Sequence, residues 1–465
     1  MKKGRRYTRN EVQLISQSLL GKTLSEYTNS ELVSISAEGN KGGLGQLIEK
    51  YVFGIDNNSD SEPDFIEAGI ELKVTPYKKL ANNQLSAKER LVLNIIDYMT
   101  EYKNTFYTSH FWFKNNIIQL LWYLWEPDKD KKNYKITHEK LLELADSEDL
   151  YQIKEDWNTI INKIKEGKAH EISEADTMYL GACTKGANAE SIRKQPFSKV
   201  GAMQRAFCFK TSYMTQLVRK YIGDYSDVEK LLSNSKLSFK EYLDSVVNNY
   251  IGKTATELKE MLNLNGKTKD DYSRIVNRMF NLKRGLAKSD EFQKANIIPK
   301  TIRIEANGNI NESISFPSFK FKELIKQEWE TSDLKEELET TKYMFFIFIK
   351  EKGEYVFKGY KLWNMPEQVI ENEIHKFWDD TIKIIKNGVH FVVENNKVSN
   401  NLPGASHNGI MHVRPHANKS AYRLNNGFSK GNININGDQL PNGEWMTKQC
   451  FWFNKEYIKS ILNHD

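Results

Sequence analysis

The chain has 465 residues, of which 39% are hydrophobic and 12% are aromatic. This composition predicts a folded protein of two or three domains and excludes a chain that is disordered throughout. No apolar run approaches the ~20 residues needed to cross a bilayer, and no apolar segment follows the basic residues 1–6 as it does in a signal peptide. We therefore expect a cytoplasmic protein with no membrane partner.

The net charge of +6 permits a nucleic-acid partner without requiring one. The three cysteines, Cys183, Cys208 and Cys450, are far apart and odd in number. This pattern argues against a disulfide framework and against a cysteine-based zinc site. We expect buried or half-buried free thiols.

The first informative element is a predicted helix over residues 44–53, where apolar residues recur at helical spacing. Glu49 lies on this helix, and its neighbours one turn away are apolar or glycine. A buried carboxylate without a partner is costly. Two interpretations stay open: Glu49 has a metal or lysine partner, or it lies at a solvated edge of the helix.

Residues 61–74 contain the pattern with the clearest chemical meaning. Residues 70–74 alternate between apolar and charged, as a strand does, so Glu71 and Lys73 share one face. Pro63 and Gly69 favour a turn before this strand, and such a turn brings Asp64 back beside Glu71. The alternative is an ordinary amphipathic strand with a Glu/Lys pair at the surface.

Two carboxylates and one ammonium group around a point suit Mg²⁺, which binds a few carboxylates and keeps several waters. We predict that Asp64 and Glu71 are metal ligands and that Lys73 positions the attacking water. The metal ion would stabilise negative charge on a scissile phosphate.

The later elements complete the fold class. Residues 117–124 form a near-continuous apolar run, which is typical of a buried strand. Residues 153–164 place their apolar side chains on one helical face. The chain is therefore predicted to be α/β (mixed α+β), with a central mixed sheet flanked by helices in each of two lobes.

A weak internal repeat predicts these two lobes. Its four matches occur in the same order in both halves: residues 20–23 with 251–254, 41–49 with 269–277, 120–123 with 344–347, and 207–210 with 451–454. We predict a catalytic domain over residues 1–222, a connector over 223–249, and a second domain over 250–465.

The N-terminal lobe resembles the MutH family of endonucleases, within the PD-(D/E)xK nuclease superfamily. The resemblance rests on residues 41–49, Asp64, residues 69–73 and residues 108–122, and it continues through residues 179–187 and 205–213. It implies a catalytic cluster, with Mg²⁺ held by the three carboxylates: Glu49, Asp64, Glu71, Lys73 and Lys114.

The C-terminal lobe resembles the same family at residues 413–417 and 450–453 but lacks these chemical groups. Asn277 stands at the position of Glu49, residues 301–306 contain no Glu-x-Lys, and Leu338 and Glu339 lie near the position of Lys114. Two lobes of this kind resemble the two-lobed type II restriction endonucleases of the family, which cut at 5′-GATC before the G. In those enzymes the C-terminal lobe binds DNA without cutting it and promotes activity.

The resemblance also implies which residues contact DNA. Arg414 is expected to make a bidentate contact to guanine; the alternative for each residue is an ordinary polar surface position. The candidates are Lys41, Thr184, Lys185 and Arg193 in the first lobe, and Arg414 and His416 in the second.

Two departures from the mismatch-repair enzyme affect base recognition. Residues 183–185 read Cys-Thr-Lys where that enzyme has Arg-Pro-Lys, whereas the second lobe keeps Arg414 and Pro415. Cys208 stands where that enzyme has a tyrosine linked to the sensing of adenine methylation. We therefore expect cleavage that is indifferent to N6-methyladenine.

Two other functions remain as alternatives. A mismatch-repair enzyme that nicks GATC sites is disfavoured by the second lobe and by Cys208. A DNA-binding regulator without catalysis is disfavoured by the intact set of Asp64, Glu71 and Lys73. Because one catalytic set must break both strands of double-stranded DNA, we expect two chains to meet on DNA as a homodimer. A cognate DNA methyltransferase is expected to act on the same site without having to bind this chain.

Overall fold

Helices and strands alternate along both halves of the chain, so the predicted mixed α/β fold class is confirmed. The protein is described here by a computed structural model that covers residues 6–28, 43–55, 62–80, 83–127, 129–130, 133–185, 191–232, 237–266, 268–310 and 312–463. Its contacts divide the chain into two units, Met1–Asp244 with Leu282–Ile297, and Ser245–Asn281 with Ile298–Asp465. No helix within these described ranges is long and apolar enough to cross a membrane.

The first half begins with helices and continues with a mixture of helices and strands. Its helices are α1 (Arg9–Ser18), α2 (Leu24–Thr28), α3 (Leu44–Tyr51), α4 (His110–Asn115), α5 (Leu150–Lys165) and α6 (Thr211–Tyr221). Its strands are β1 (Glu71–Lys79), β2 (Leu85–Ala87), β3 (Leu91–Ile95), β4 (Ile117–Leu124), β5 (Ile136–Glu143), β6 (Leu180–Thr184), β7 (Ile192–Gln195), β8 (Ser198–Met203) and β9 (Arg205–Phe209).

The second half follows the same pattern. Its helices are α7 (Phe239–Val247), α8 (Ala255–Met261), α9 (Asp271–Met279), α10 (Asp290–Lys294), α11 (Phe321–Leu324), α12 (Asp333–Thr340), α13 (Glu367–Val369), α14 (His375–Asn387), α15 (Ile433–Asn436) and α16 (Lys455–Asn463). Its strands are β10 (Ile297–Ile304), β11 (Ser315–Ser318), β12 (Lys342–Glu351), β13 (Glu354–Trp363), β14 (Phe391–Glu394), β15 (Lys397–Asn400), β16 (Met411–Pro415), β17 (Tyr422–Arg423), β18 (Ser429–Lys430), β19 (Gly437–Gln439), β20 (Trp445–Thr447) and β21 (Gln449–Phe453).

Elements predicted from apolar spacing occur where the sequence places them. The apolar run of residues 117–124 is β4, and its first six residues are buried. The helical face predicted over residues 153–164 belongs to α5, which buries Ile153, Trp157 and Ile160. The helix predicted over residues 44–53 is α3, which begins at Leu44 and ends at Tyr51.

The two units contain sheets with corresponding strand orders. The first unit has β2-β1-β4-β5 and β3-β9-β6, and the second has β10-β12-β13 and β11-β21-β16. In each unit the repeated segments occupy matching elements: residues 120–123 lie in β4 and 344–347 in β12, while β9 and β21 hold the last pair. These matching strand orders agree with the internal repeat in the sequence.

Strand β1 lies inside its sheet, parallel to β4 on one side and antiparallel to β2 on the other. One face of β1 packs into the core of this unit, where Ile70 and Leu72 join Leu47 of α3 and Leu121 of β4. This packing holds α3 and β1 together, and both elements carry candidate site residues.

The segment Leu282–Ile297 belongs by its contacts to the first unit, whereas the sequence division assigns it to the second domain. The physical reason is a buried ion cluster. Lys294 Nζ lies 2.7 Å from Asp149 Oδ1 and 2.8 Å from Asp290 Oδ2, and these side chains are 2%, 9% and 2% exposed. Burial alone lowers the pKa of Lys294, but the two carboxylates raise it above the usual value for lysine.

We predict that Lys294→Ala lowers the free energy of unfolding by about 3–5 kcal/mol, because it leaves two buried carboxylates without a cation. Urea unfolding followed by tryptophan fluorescence measures the effect, and Lys288→Ala, an exposed position nearby, is the control. A loss no larger than that of the control would show that this cluster does not hold the segment in place.

Candidate active site

A tight turn before β1 places two carboxylates side by side. Phe65 N donates a hydrogen bond to Ile70 O at 2.9 Å, and the two residues form an antiparallel bridge. Gly69 closes the turn with φ +67°, a conformation that glycine adopts without steric cost. Asp64 N then donates to Glu71 Oε2 at 3.2 Å. The turn expected from the sequence is therefore present.

Asp64 is fixed by a second contact, because Leu72 N donates to Asp64 Oδ2 at 2.9 Å. Each of the two carboxylates thus accepts a backbone hydrogen bond from the other's segment. This reciprocal pairing fixes the distance between them without using a salt bridge.

Two lysines converge on Glu71, whose side chain is only 3% exposed. Lys73 Nζ donates to Glu71 Oε1 at 2.7 Å, and Lys114 Nζ lies 3.8 Å from the same oxygen. Lys114 is in the last turn of α4. Ser109 caps the start of this helix, and its side chain accepts a hydrogen bond from Trp112 N. Strand and helix therefore deliver one cation each to the same carboxylate.

Glu49 of α3 joins this cluster electrostatically. Burial, followed by the negative charge of Asp64, raises its pKa from 4.5 to about 7, against the opposing effect of Lys73. Burial also raises the pKa of Glu71, and Lys73 opposes this shift. The site thus contains more buried carboxylate groups than its own lysines can neutralise. This arrangement favours the binding of an added cation.

The donor set suits a divalent metal ion. Asp64 and Glu71 supply hard oxygen ligands, and Mg²⁺ needs only one or two carboxylates with waters completing its shell. Within the described ranges, no three His, Cys, Asp or Glu side chains stand in an arrangement that holds a metal by themselves. The fit is therefore to a site in which water and substrate oxygens complete the coordination.

The DNA-contact candidates of the first unit lie at the end of β6 and on β7. Thr184 and Lys185 are exposed, and Lys185 N donates to Gln204 O at 2.8 Å. Arg193 is exposed on β7. Lys41 lies outside the described residues, so its position stays a sequence prediction.

The cysteines are free and buried, as predicted. Cys208 of β9 is fully buried and packs with Cys183 of β6 in a small cluster with Ala206. The two thiols therefore pack together on one face of these paired strands.

The corresponding strands of the second unit carry Arg414 and Trp452. The Arg414 guanidinium lies 5.1 Å from the centre of the Trp452 ring, and Trp452 Nε1 donates to Arg414 O at 3.3 Å. His416 packs edge-on against the same ring and contacts Ser318 Oγ at 3.0 Å through Nδ1. Arg414, His416 and Trp452 line an open pocket of about 490 Å³ together with Lys448.

Sequence reasoning missed Trp452 and Lys448. Trp452 sits in an aromatic run that is typical of a buried strand, yet it is the one residue of β21 that is only half-buried. No local pattern in the sequence marks Trp452 as exposed, because its neighbours Arg414 and His416 come from a distant strand and loop.

Among the residues of the second unit that the structure describes, no counterpart of the carboxylate cluster lies on or beside β10. Arg303 of β10 pairs with Glu312, and Glu305 pairs with Lys350 at 3.2 Å. Where β1 of the first unit carries Glu71 and Lys73, β10 therefore carries Arg303 and is followed by Glu305, each with its own partner. This agrees with the prediction that the second lobe lacks the chemical groups.

The chain is similar to known DNA enzymes. The family model described as "DNA mismatch repair enzyme MutH" matches residues 53–156. The type II restriction enzyme Sau3AI of Staphylococcus aureus is 37% identical over 97% of this chain and 98% of its own length. The DNA mismatch repair proteins MutH of Shewanella woodyi and Escherichia coli are each 25% identical, over 47% and 45% of this chain and 94% and 93% of their own length.

We predict that, without divalent metal, Glu49→Gln is more stable than the wild type, by a margin that grows from pH 4.5 to 7. Because the folded pKa of Glu49 is raised from 4.5 to about 7, the folded state binds the proton more tightly than the unfolded chain does. Wild-type stability therefore falls as pH rises through this window, and the neutral glutamine escapes that loss.

Thermal unfolding midpoints across this pH range measure the effect, with the exposed Glu62→Gln as control. Above pH 7, added Mg²⁺ should raise the midpoint of the wild type more than that of Glu49→Gln. A difference in midpoint between Glu49→Gln and the wild type that does not change with pH would contradict the raised pKa of Glu49.

Proposed function

Because the chain belongs to the MutH-like family of restriction endonucleases, we propose that it is a type II restriction endonuclease that cuts both DNA strands at 5′-GATC, before the G. Its substrate is DNA, and its family uses a divalent metal ion, for which we propose Mg²⁺. The observation that carries this proposal is the convergence of Asp64, Lys73 and Lys114 on the buried Glu71.

The reaction is hydrolysis of a phosphodiester by water. A bound divalent ion supplies a more acidic water and offsets the charge that grows on the phosphate. Asp64 and Glu71, with Glu49 beside them, would hold that ion. Lys73 donates a hydrogen bond to the attacking water and orients it toward phosphorus, and Lys114 balances charge on the non-bridging phosphate oxygens.

We assign the two lobes different tasks, with residues 1–222 catalytic, residues 223–249 as connector and residues 250–465 as an effector that binds DNA without cutting it. In this assignment Arg414 contacts guanine, and stacking on Trp452 restricts its guanidinium to a few orientations. Lys41, Thr184, Lys185 and Arg193 would contact DNA from the first lobe, and His416 would do so from the second.

We predict that the wild type with Mg²⁺ converts an unmethylated plasmid into discrete fragments that end at GATC. Glu71→Ala and Lys73→Ala should each lower the rate by at least about a hundredfold, because each removes a group that acts on the developing charge. Lys79→Ala, at an exposed position on the same strand, is the matched control.

End mapping on agarose and sequencing gels reads out this experiment. Nicked circles as the only product would favour the mismatch-repair type of activity. Tight DNA binding without any cutting by the wild type would favour a regulator.

We predict that adenine methylation does not protect DNA from this enzyme. Cys208 is fully buried and offers no side chain to the edge of an adenine. Plasmids with and without N6-methyladenine at GATC should therefore be cut at rates within about twofold of each other. Complete protection of the methylated plasmid from cleavage would contradict this prediction.

We further propose that two chains meet on DNA, since one catalytic cluster must act on both strands. A cognate methyltransferase would protect the host site without contacting this chain. Plasmids with two GATC sites should then be cut faster than plasmids with one, and sedimentation should detect a dimer on DNA. Equal rates with no dimer would contradict the proposal.

A further inference from the structure

The hairpin of β7 and β8 exposes three apolar side chains, and the ring of one of them, Phe197, touches Tyr102 edge-on with ring centres 5.3 Å apart. Ile192, Phe197 and Val200 are 47%, 68% and 53% exposed. Exposed apolar residues that cluster on one small element indicate a contact surface rather than scattered surface positions. The tip of this surface is Phe197.

The same hairpin is strongly cationic. Arg193, Lys194 and Lys199 are exposed, and residues 191–203 contain no Asp or Glu, so the segment has a net charge of +3. Within the part of the chain that the structure describes, no ion pair neutralises these three cations. A partner for this surface must therefore be anionic and also offer an apolar contact.

The turn holds Phe197 in a conformation that phenylalanine disfavours. Gln195 pairs with Ser198, so Pro196 and Phe197 form a two-residue turn, and Phe197 has φ +63°. With φ of the proline fixed near about −65°, this is the sign pattern of a type II turn, which favours Gly or Asn at the second position. Strain of this kind, kept at an exposed aromatic residue, points to a function for the ring.

The turn is also rigid. Gln195 is buried, accepts a hydrogen bond from Ala169 N at 2.8 Å and donates one to Val200 O at 2.7 Å. The backbone of Phe197 packs so closely on Gly167 that a Cβ on that glycine would lie 2.7 Å from Phe197 O. The hairpin therefore presents its tip in one fixed position.

The hairpin starts beside the predicted base-reading segment. Lys185 N donates to Gln204 O at 2.8 Å, and Gln204 N donates to Ser191 O at 2.9 Å. Both arms of the hairpin thus extend from the position where Lys185 is expected to meet DNA. A two-stranded ribbon fits the DNA major groove, and the apolar group exposed there is the thymine methyl.

We propose that the β7–β8 hairpin enters the major groove of the bound duplex, with the Phe197 ring against a thymine methyl group and Lys194 and Lys199 on flanking phosphates. This proposal rests on the proposed function and names a specificity contact for it. Phe197 is a recognition residue, separate from the carboxylate cluster that performs the chemistry.

The test combines a protein change with a DNA change, using binding to a duplex without divalent metal. Phe197→Asn should bind the GATC duplex about tenfold more weakly yet unfold at a higher temperature, because asparagine tolerates the left-handed region. Replacing the thymines of the site and its flanks with deoxyuridine removes only methyl groups. This substitution should weaken binding by the wild type about fourfold for each contacted methyl group. It should leave binding by Phe197→Asn unchanged.

Cation variants separate phosphate contacts from base contacts. Lys194→Ala and Lys199→Ala should weaken binding to all sequences and lower the salt dependence of log K by about one unit each. Phe197→Asn should keep the wild-type salt slope. The exposed Lys240→Ala and Leu14→Asn, elsewhere on the chain, are controls.

Two results would overturn the proposal. One is an equal effect of deoxyuridine substitution on DNA binding by the wild type and by Phe197→Asn. The other is an unchanged salt dependence of log K in both lysine variants. Wild-type cleavage at GATC is measured in parallel. If the wild type cuts but these effects are missing, the hairpin proposal fails alone. If the wild type neither binds nor cuts DNA, the proposed function fails with it.

Discussion

The site depends on one buried negative charge in the middle of a sheet. Glu71 is nearly inaccessible, yet it lies on an interior strand rather than at an edge. Burying a lone carboxylate is costly, so three elements supply partners to it: the turn through Asp64 N, the strand through Lys73 and α4 through Lys114. Because these partners all approach Glu71, the candidate site residues Asp64, Lys73 and Lys114 lie around one point.

The two lysines do not fully neutralise the carboxylates at this site, and this charge imbalance favours metal binding. The pKa of Glu49 is raised to about 7, first by burial and then by Asp64. A site with surplus negative charge in the free protein is prepared for a divalent cation and a phosphate, since the ion relieves the repulsion when it binds. In the proposed function, a bound metal ion would relieve this repulsion and so stabilise the site.

The second unit shows what the same strand order becomes without that constraint. At the end of β10 the charges of Arg303 and Glu305 are each satisfied by a separate partner, Glu312 and Lys350. The difference extends to β16 and β21, where Arg414 and Trp452 form an open surface, whereas β6 and β9 of the first unit hold two buried thiols. One architecture therefore supports a cluster suited to chemistry in one unit and a surface suited to recognition in the other.

Local patterns in the sequence were enough to predict several elements and the proximity of Asp64, Glu71 and Lys73, whose catalytic role stays a proposal. The alternation at residues 70–74 identified β1, and Pro63 and Gly69 predicted the turn that joins Asp64 to Glu71, because these signals act over a few residues. Lys114 came only from family resemblance, since its approach to Glu71 depends on tertiary packing of α4. The packing of Leu282–Ile297 into the first unit was not predictable, because Lys294 and Asp149 are 145 residues apart.

Trp452 and Phe197 were missed for a related reason. An aromatic residue within a strand or next to a proline carries no signal of exposure until its neighbours are known. Arg414 beside Trp452 and the left-handed turn at Phe197 are properties of the folded chain. Recognition surfaces of this kind become visible only in three dimensions.

The most direct test of the division of labour is single-turnover cleavage of a prebound GATC duplex with Mg²⁺, comparing Glu71→Ala with Arg303→Ala. These residues lie on the strands β1 and β10 of the two units. The account predicts that Glu71→Ala binds the duplex but loses cleavage, while Arg303→Ala cuts prebound DNA at nearly the wild-type rate. Cleavage that survives in Glu71→Ala and is lost in Arg303→Ala would contradict it.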